Sequence, residues 1–431
     1  DDLKVRDRIR APLAGPAIRA VQRSRESTMN HRQRLLTALR HEEPDRVPID
    51  LGGTGDSTIV AVAYQDLRQE LGLSPSTTRV VDVAQQTAVI DEDVRQALGV
   101  DVRPVFDEPK EWRTGRLGDG TIAEMPARFE PFRQVDGSWI VVDRSGNITL
   151  KMPRGGYYFD PVYAPLARAT SVADLELHRT AIETYDTPDH LDKSYEEQAR
   201  EVQALRESTD YALVGFFGGH ILQAGQVLRG WESFLMDLIT NKPFAHALMD
   251  MLLEAHLDRL ERYAATVGQH IDVIHFEEDL GMQDRPLMSP ALYREMIKPY
   301  QQRLFERAKA LCKAHLLLHS DGAIAPLIPD LIEMGVAAIN PVQVSAEGMD
   351  TRTLKREFGK DITFWGGGCD SQAVLPFGNR QQVADEVKRR IDDLAPGGGF
   401  VFAPIHNIQA GVPAENAVTM FQTALEYGRY G

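Results

Sequence analysis

Three side chains in the second half of the chain have the types and spacing to hold a transition metal. His319 and Asp321 follow the apolar run HLLL and lie two residues apart, and Cys369 comes directly after three glycines, Gly366, Gly367 and Gly368. Side chains on an extended segment alternate with a period of two, so a His-x-Asp pair points to one side of the chain. Imidazole, carboxylate and thiolate are donors that zinc accepts, and three protein ligands with one open position describe a catalytic zinc. Each residue also has a plainer role. His319 could be a hydrogen-bonded rim residue, and Cys369 a small buried hydrophobe. Cys312, inside a helical stretch, reads as inert core.

Other polar residues end apolar runs in the same manner. Glu277, Glu278 and Asp279 follow IDVIHF; of these, Glu278 and Asp279 are candidates for a general base or a further metal ligand. His406 follows FVFAPI and is a third catalytic candidate. Asp50, His220 and Asn407 also sit at run ends and are candidates for orienting a substrate, or for satisfying backbone groups at a rim.

The elements that must position these residues are eight short apolar runs alternating with helical stretches. They begin at Val47, Asp101, Tyr211, Ile271, His315, Ala337, Ile362 and Gly399. Each is apolar on both faces, as a strand buried between an interior and an outer helix layer should be. Eight strands with intervening helices over this length predict an α/β protein, a (β/α)8 TIM barrel, whose reactive groups project from the C-terminal strand ends. An open doubly wound sheet is the alternative. The helical stretch NRQQVADEVKRRIDDLA should be capped by Asn379 and stopped by Pro396 and the glycines after it. Between residues 107 and 160, turn pairs such as GDG and SGN separate short alternating segments, which predicts a β-hairpin insertion after the second strand. It offers a lid or a subunit contact, and with it a homo-oligomer. Residues 1–28 read as an irregular Arg-rich tail, and residues 29–431 as one elaborated barrel domain.

Composition narrows the function. With 48 basic against 63 acidic residues and a net charge of −15, nucleic acid and anionic membranes are poor partners. No apolar run reaches the roughly 18 residues of a membrane span. Two cysteines cannot build a disulfide framework, so a reducing, cytoplasmic setting is expected. The two glycine triplets match neither GxGxxG nor a Walker pattern and are expected to serve turns and packing.

Several long segments carry a family resemblance: RLLTALRHEEPDRVPIDLGGTG, EDLGMQDRPLMSPALYREMIKP, HSDGAIAPLIPDLIEMGVAAINPVQ, FWGGGCDSQ and GGGFVFAPIHNIQAGVP. Together they make the chain from Met29 onward resemble the uroporphyrinogen decarboxylase superfamily, in its methyltransferase-like branch. The resemblance implies a (β/α)8 barrel. It also implies the chemistry of corrinoid-linked methyltransferases, in which zinc held by a His-x-Cys pair and a later Cys activates a thiol that accepts a methyl group from a corrinoid protein. Carried over, the His is His319 and the later Cys is Cys369, while Asp321 replaces the middle Cys. An oxygen donor makes zinc a stronger Lewis acid and a poorer promoter of thiolate attack, which favours a methyl group leaving oxygen or nitrogen. The implied partners are a small methyl donor or acceptor and a corrinoid protein. Metal-independent decarboxylation of a porphyrinogen-like substrate is the second expectation. Against it, the Arg-rich motif that binds carboxylates in the decarboxylases is replaced here by DLGGTGDSTIV, which has acids and no arginine.

Overall fold

Seven short, β-branched or aromatic segments pair in parallel into one curled sheet. In spatial order from one edge they are Phe400–Val401, Thr363–Trp365, Ala338–Asn340, His315–His319, Val273–Glu277, Ala212–Gly218 and Val102–Val105. The computed structural model describes residues 29–105, 109–185 and 193–431. The tail expected over residues 1–28 and the first residues of the expected insertion lie outside the described residues.

The eighth run, at Val47, forms no full strand but fills the gap between the two edge strands. Ile49 bridges Phe402 in parallel. Asp50 N–H donates to the Phe402 carbonyl (2.8 Å), and Asp101 N–H donates to the Ile49 carbonyl (2.7 Å) on the other side. The curled sheet is thereby closed in the manner of a TIM barrel. Two residues keep this strand short: Pro48 has no N–H to donate, and Gly52 at φ +80 turns the chain out of extension.

Helices cover the outside. The helix Arg380–Leu394 begins with a capping box at Asn379 and Gln382, as its sequence indicates. The stretch after Ser289 is two helices, Pro290–Met296 and Lys298–Leu311, because Pro299 lacks the N–H needed to continue the first. Cys312 lies just past the second helix and is buried.

Between the strands Val102–Val105 and Ala212–Gly218 the chain builds two antiparallel sheets. One pairs Trp112–Arg116 with Ile122–Pro126, and the other joins Phe132–Arg133, Trp139–Val142, Ile148–Met152 and Asp160–Pro161. The first docks just before Val80–Asp82, where Glu124 N–H donates to the Thr78 carbonyl (2.8 Å), and the second just after it, where Phe159 N–H donates to the Ala84 carbonyl (2.8 Å). Among the described residues no helix is long and apolar enough to cross a membrane.

Candidate metal centre and active site

Parallel pairing sets Glu277 beside His319 and His319 beside Asn340 at the strand ends. Past those ends the hydrogen bonding continues. Glu278 N–H donates to the His319 carbonyl (3.0 Å) and Ser320 N–H to the Asn340 carbonyl (2.7 Å). Leu280 N–H donates to Ser320 Oγ (2.9 Å), and Asp321 N–H to Asp279 Oδ1 (2.9 Å). Two glycines let the loops approach this closely: a Cβ on Gly281 would lie 2.4 Å from the Asp321 carbonyl oxygen, and one on Gly322 would lie 2.5 Å from the Gly281 backbone. The residues that face the mouth are therefore held by backbone.

His319 is 2% exposed, and its tautomer can be read from its neighbours. Asn340 Nδ2 donates to the Trp365 carbonyl (3.2 Å), which turns Oδ1 toward the imidazole. His319 Nδ1–H then donates to Asn340 Oδ1 (2.8 Å), and Nε2 faces the mouth. Nε2 lies 3.9 Å from Asp279 Oδ1 and 3.9 Å from Asp321 Oδ2. Across the mouth the His406 ring stands 5.8 Å from that of His319. His406 Nε2 is 3.7 Å from Asp56 Oδ1 and 3.9 Å from Asp321 Oδ2.

Two groups have ligand atoms within 4.8 Å of one another: Asp279, His319 and Asp321, and Asp56, His319 and His406. The tautomer separates them. Asp56 Oδ2 approaches His319 from the Nδ1 side (3.6 Å), where the ring nitrogen is already a donor to Asn340. The group that the outward-facing Nε2 belongs to is thus Asp279, His319 and Asp321.

The electrostatics show the same shortage of positive charge. Burial lowers the pKa of His319, but Asp56, Asp321, Asp279 and Glu277 outweigh it and raise it to about 10. Burial raises Asp56, while His319 and His406 outweigh it and pull it down to about 2. One imidazolium is holding a cluster of carboxylates together. His275, fully buried on the inner face of its strand, is held neutral by burial, which lowers it to about 3. Asp82, beside the mouth, is pushed up to about 6 by burial. The strongest charge effects on Asp56, Asp82, His319 and Asp321 come from other carboxylates and imidazoles, and none comes from a lysine or arginine.

Several expected site residues are placed elsewhere. Cys369 is 0% exposed, outside both groups, and the charged groups that act on it are Glu386, Asp370, Arg390 and Arg389, three of them on the outer helix Arg380–Leu394. Burial pushes its thiol far above the usual range, and its sulfur is not among the ligand atoms that converge on His319.

Glu278 is not free to act as a base either. Its carboxylate accepts from the backbone N–H of Ile221, Leu222 and Gln223 (2.8, 2.9 and 2.6 Å), which caps the helix Leu222–Arg229. Glu278→Gln puts an amide donor against those N–H groups and should lower stability by about 2 kcal/mol, read from the urea unfolding midpoint.

Asp50 is buried beneath the mouth and accepts from Gly53 N–H, Ser57 Oγ and Trp365 Nε1 (each 2.7 Å), leaving little for a substrate. Burial raises it to about 6. It supports the site indirectly, through the loop that carries Asp56 and through Trp365. Asn407 is likewise buried, accepting from Thr58 N–H (2.9 Å) and donating to Gln85 Oε1 (2.6 Å). Gln85 in turn donates to Asp56 Oδ1 (3.0 Å). His220 does lie at the mouth, its Nε2 3.8 Å from Glu277 Oε2.

Asp56, Gln85 and Asn340 were absent from the expected set. Asp56 carries a signal in the sequence, as an acid six residues past Asp50 in a Gly-rich loop at a strand end. Gln85 and Asn340 carry none, since only the fold brings them to the ligands.

A barrel with histidines and carboxylates gathered at the C-terminal strand ends defines an enzyme of the TIM-barrel class. Residues 163–427 match the family model for uroporphyrinogen decarboxylase (URO-D). The chain belongs to that family. A methyltransferase from Methanosarcina mazei shares the fold, at 17% identity and a TM-score of 0.56 over 92% of this chain and 99% of that one. The native xylanase 10B from Thermotoga maritima overlaps more loosely, at 13% identity and a TM-score of 0.35 over 57% of this chain and 86% of that one. No curated protein matches the chain.

Proposed function

We propose that the chain is a zinc-dependent methyltransferase or demethylase that moves a methyl group between a small oxygen- or nitrogen-bound donor and a corrinoid carried by a partner protein. The observation that carries this is His319 Nε2, its tautomer fixed by Asn340, facing the carboxylates of Asp279 and Asp321. Family membership and the methyltransferase from Methanosarcina mazei support it.

The residues fit a divalent ion. One imidazole nitrogen and two carboxylates converge within 4.8 Å, a donor set that zinc accepts, and the carboxylates around His319 are balanced by a proton that a doubly charged ion would replace. His319, Asp279 and Asp321 would hold the ion through one nitrogen and two carboxylates and leave a position for substrate. When bound, zinc supplies Lewis-acid polarisation of the atom that bears the methyl group. His406, 31% exposed on its side chain and with Nε2 3.7 Å from Asp56 Oδ1, would give a proton to the departing oxygen or nitrogen. Asn407 and Gln85 hold Asp56 there. With Cys369 away from the site, no thiolate tunes the ion toward thiol activation. With acids dominating the mouth, a polycarboxylated decarboxylase substrate would be repelled.

The test follows the absorbance of reduced cobalamin as it is methylated by methyl ethers and methylamines, with chelated and zinc-restored protein. Chelation is expected to cut the rate roughly 10²-fold or more, and zinc to restore it. Carbon dioxide release from carboxylated substrates, unaffected by chelation, overturns the proposal.

A further inference from the structure

Phe216 breaks the burial pattern of its strand. Every other residue of Ala212–Gly218 is buried, yet Phe216 is 48% exposed. Its neighbours fix its direction. Phe217 packs on Tyr263 and Phe276 (ring centroids 5.5 and 5.3 Å) beneath the Arg259 guanidinium, and a Cβ on Gly215 would meet the Tyr263 hydroxyl at 2.3 Å. Tyr263 and Arg259 belong to the helix Lys242–Thr266, so residues 215 and 217 face outward. By alternation Phe216 faces the barrel interior. The rings agree: Phe216 lies edge-on to His275 (5.4 Å), and His275 edge-on to His319 (6.3 Å).

A half-exposed phenylalanine on the inner face means that the interior beside it is open, on the side of the mouth next to His319. The pairing with the next strand slips immediately afterwards, with Phe216 opposite His275 but Gly218 opposite Phe276. Bulges of this kind occur beside active sites, where they re-aim a side chain. His275 is fully buried behind Phe216 and backs its ring.

We propose that Phe216 is a specificity-determining residue, the wall on which the hydrocarbon part of an uncharged alcohol or ether lies while its oxygen points toward His319. The identity of the oxygen substrate rests on the methyl-transfer proposal, whereas the apolar wall does not. An anionic substrate is disfavoured because carboxylates flank the same opening: Glu277 pairs beside His319, and Asp56 lies 3.6 Å from His319 and 3.7 Å from His406. A very small alcohol would leave Phe216 uncovered and forgo the apolar contact.

The experiment is equilibrium binding of benzyl alcohol, methanol and benzoate, by ligand-observed NMR, to the zinc-loaded and the chelated protein. Benzyl alcohol is expected to bind at least about tenfold more tightly than either of the others in both states. Phe216→Ala should weaken benzyl alcohol about tenfold and leave methanol and zinc content unchanged, and Phe216→Leu should retain most of the affinity. Benzoate binding as tightly as benzyl alcohol, or benzyl alcohol unaffected by Phe216→Ala in a protein that still melts like the wild type, overturns the assignment. A methyl-transfer rate unaffected by chelation, with the benzyl alcohol preference intact, would instead count against the methyl-transfer proposal alone.

Discussion

The His319→Ala protein is expected to keep its barrel, lose its bound zinc, and transfer methyl groups about 10³-fold more slowly than the wild type. His319 supplies the only nitrogen donor of its group, and the two remaining carboxylates, Asp279 and Asp321, lie on loops held by backbone bonds that do not involve the imidazole. The ligand is lost without the scaffold. His319→Gln, which offers an amide in place of the imidazole, should bind zinc weakly and show the same loss of rate. Circular dichroism spectra matching the wild type, together with zinc analysis, check the first half of this expectation, and the cobalamin assay checks the second. A variant with full zinc and a wild-type rate would remove His319 from the mechanism.

Asp101→Ala is expected to cost about 3–5 kcal/mol of stability, the largest structural effect of any single change considered. Asp101 is 0% exposed at the N-terminal end of its strand. It accepts from Arg34 Nη1 (2.5 Å), Arg46 Nη1 and Nη2 (2.6 and 3.0 Å) and Ile49 N–H (2.8 Å), and it pairs with His31 (2.9 Å). Truncation leaves two buried guanidinium groups facing no carboxylate at this position and frees the segment that closes the barrel. The pH dependence has a definite sign. Burial raises the carboxyl's pKa, but Arg46, His31 and Arg34 outweigh it, so the folded-state value lies below the ordinary 3.8. Such a group contributes its full stability above about pH 4 and loses it as pH falls below 3.8 toward the folded value. Wild type should therefore lose stability in acid more steeply than Asp101→Asn, as measured by urea unfolding between pH 2.5 and 5.

The barrel was legible because its strands are buried on both faces, which leaves uninterrupted apolar runs bounded by polar residues. The first run was legible as an element but not as a bridge, since its shortness depends on Pro48 and on closure against Phe402. The His319 and Asp321 pair was legible from the period of two. The same period, applied back to His275, would have selected Glu277 and Asp279 and turned Glu278 away, because Glu278 lies on the opposite face and caps the helix that follows the neighbouring strand. Cys369 misled for a different reason. Its place after a strand end resembles a ligand position, but the turn at Gly366 and Gly367, both at positive φ, sends it toward the outer helix. Asp56 reaches the site from a loop at the opposite side of the closure, and no local pattern reports such a distance.

Metal content of the purified protein tests the central claim most directly, with wild type compared beside Cys369→Ala and Asp321→Ala. The wild type and Cys369→Ala should each carry about one zinc per chain, and Asp321→Ala should carry far less. Zinc retained by Asp321→Ala and lost from Cys369→Ala, or no stoichiometric metal in the wild type after reconstitution, would contradict it.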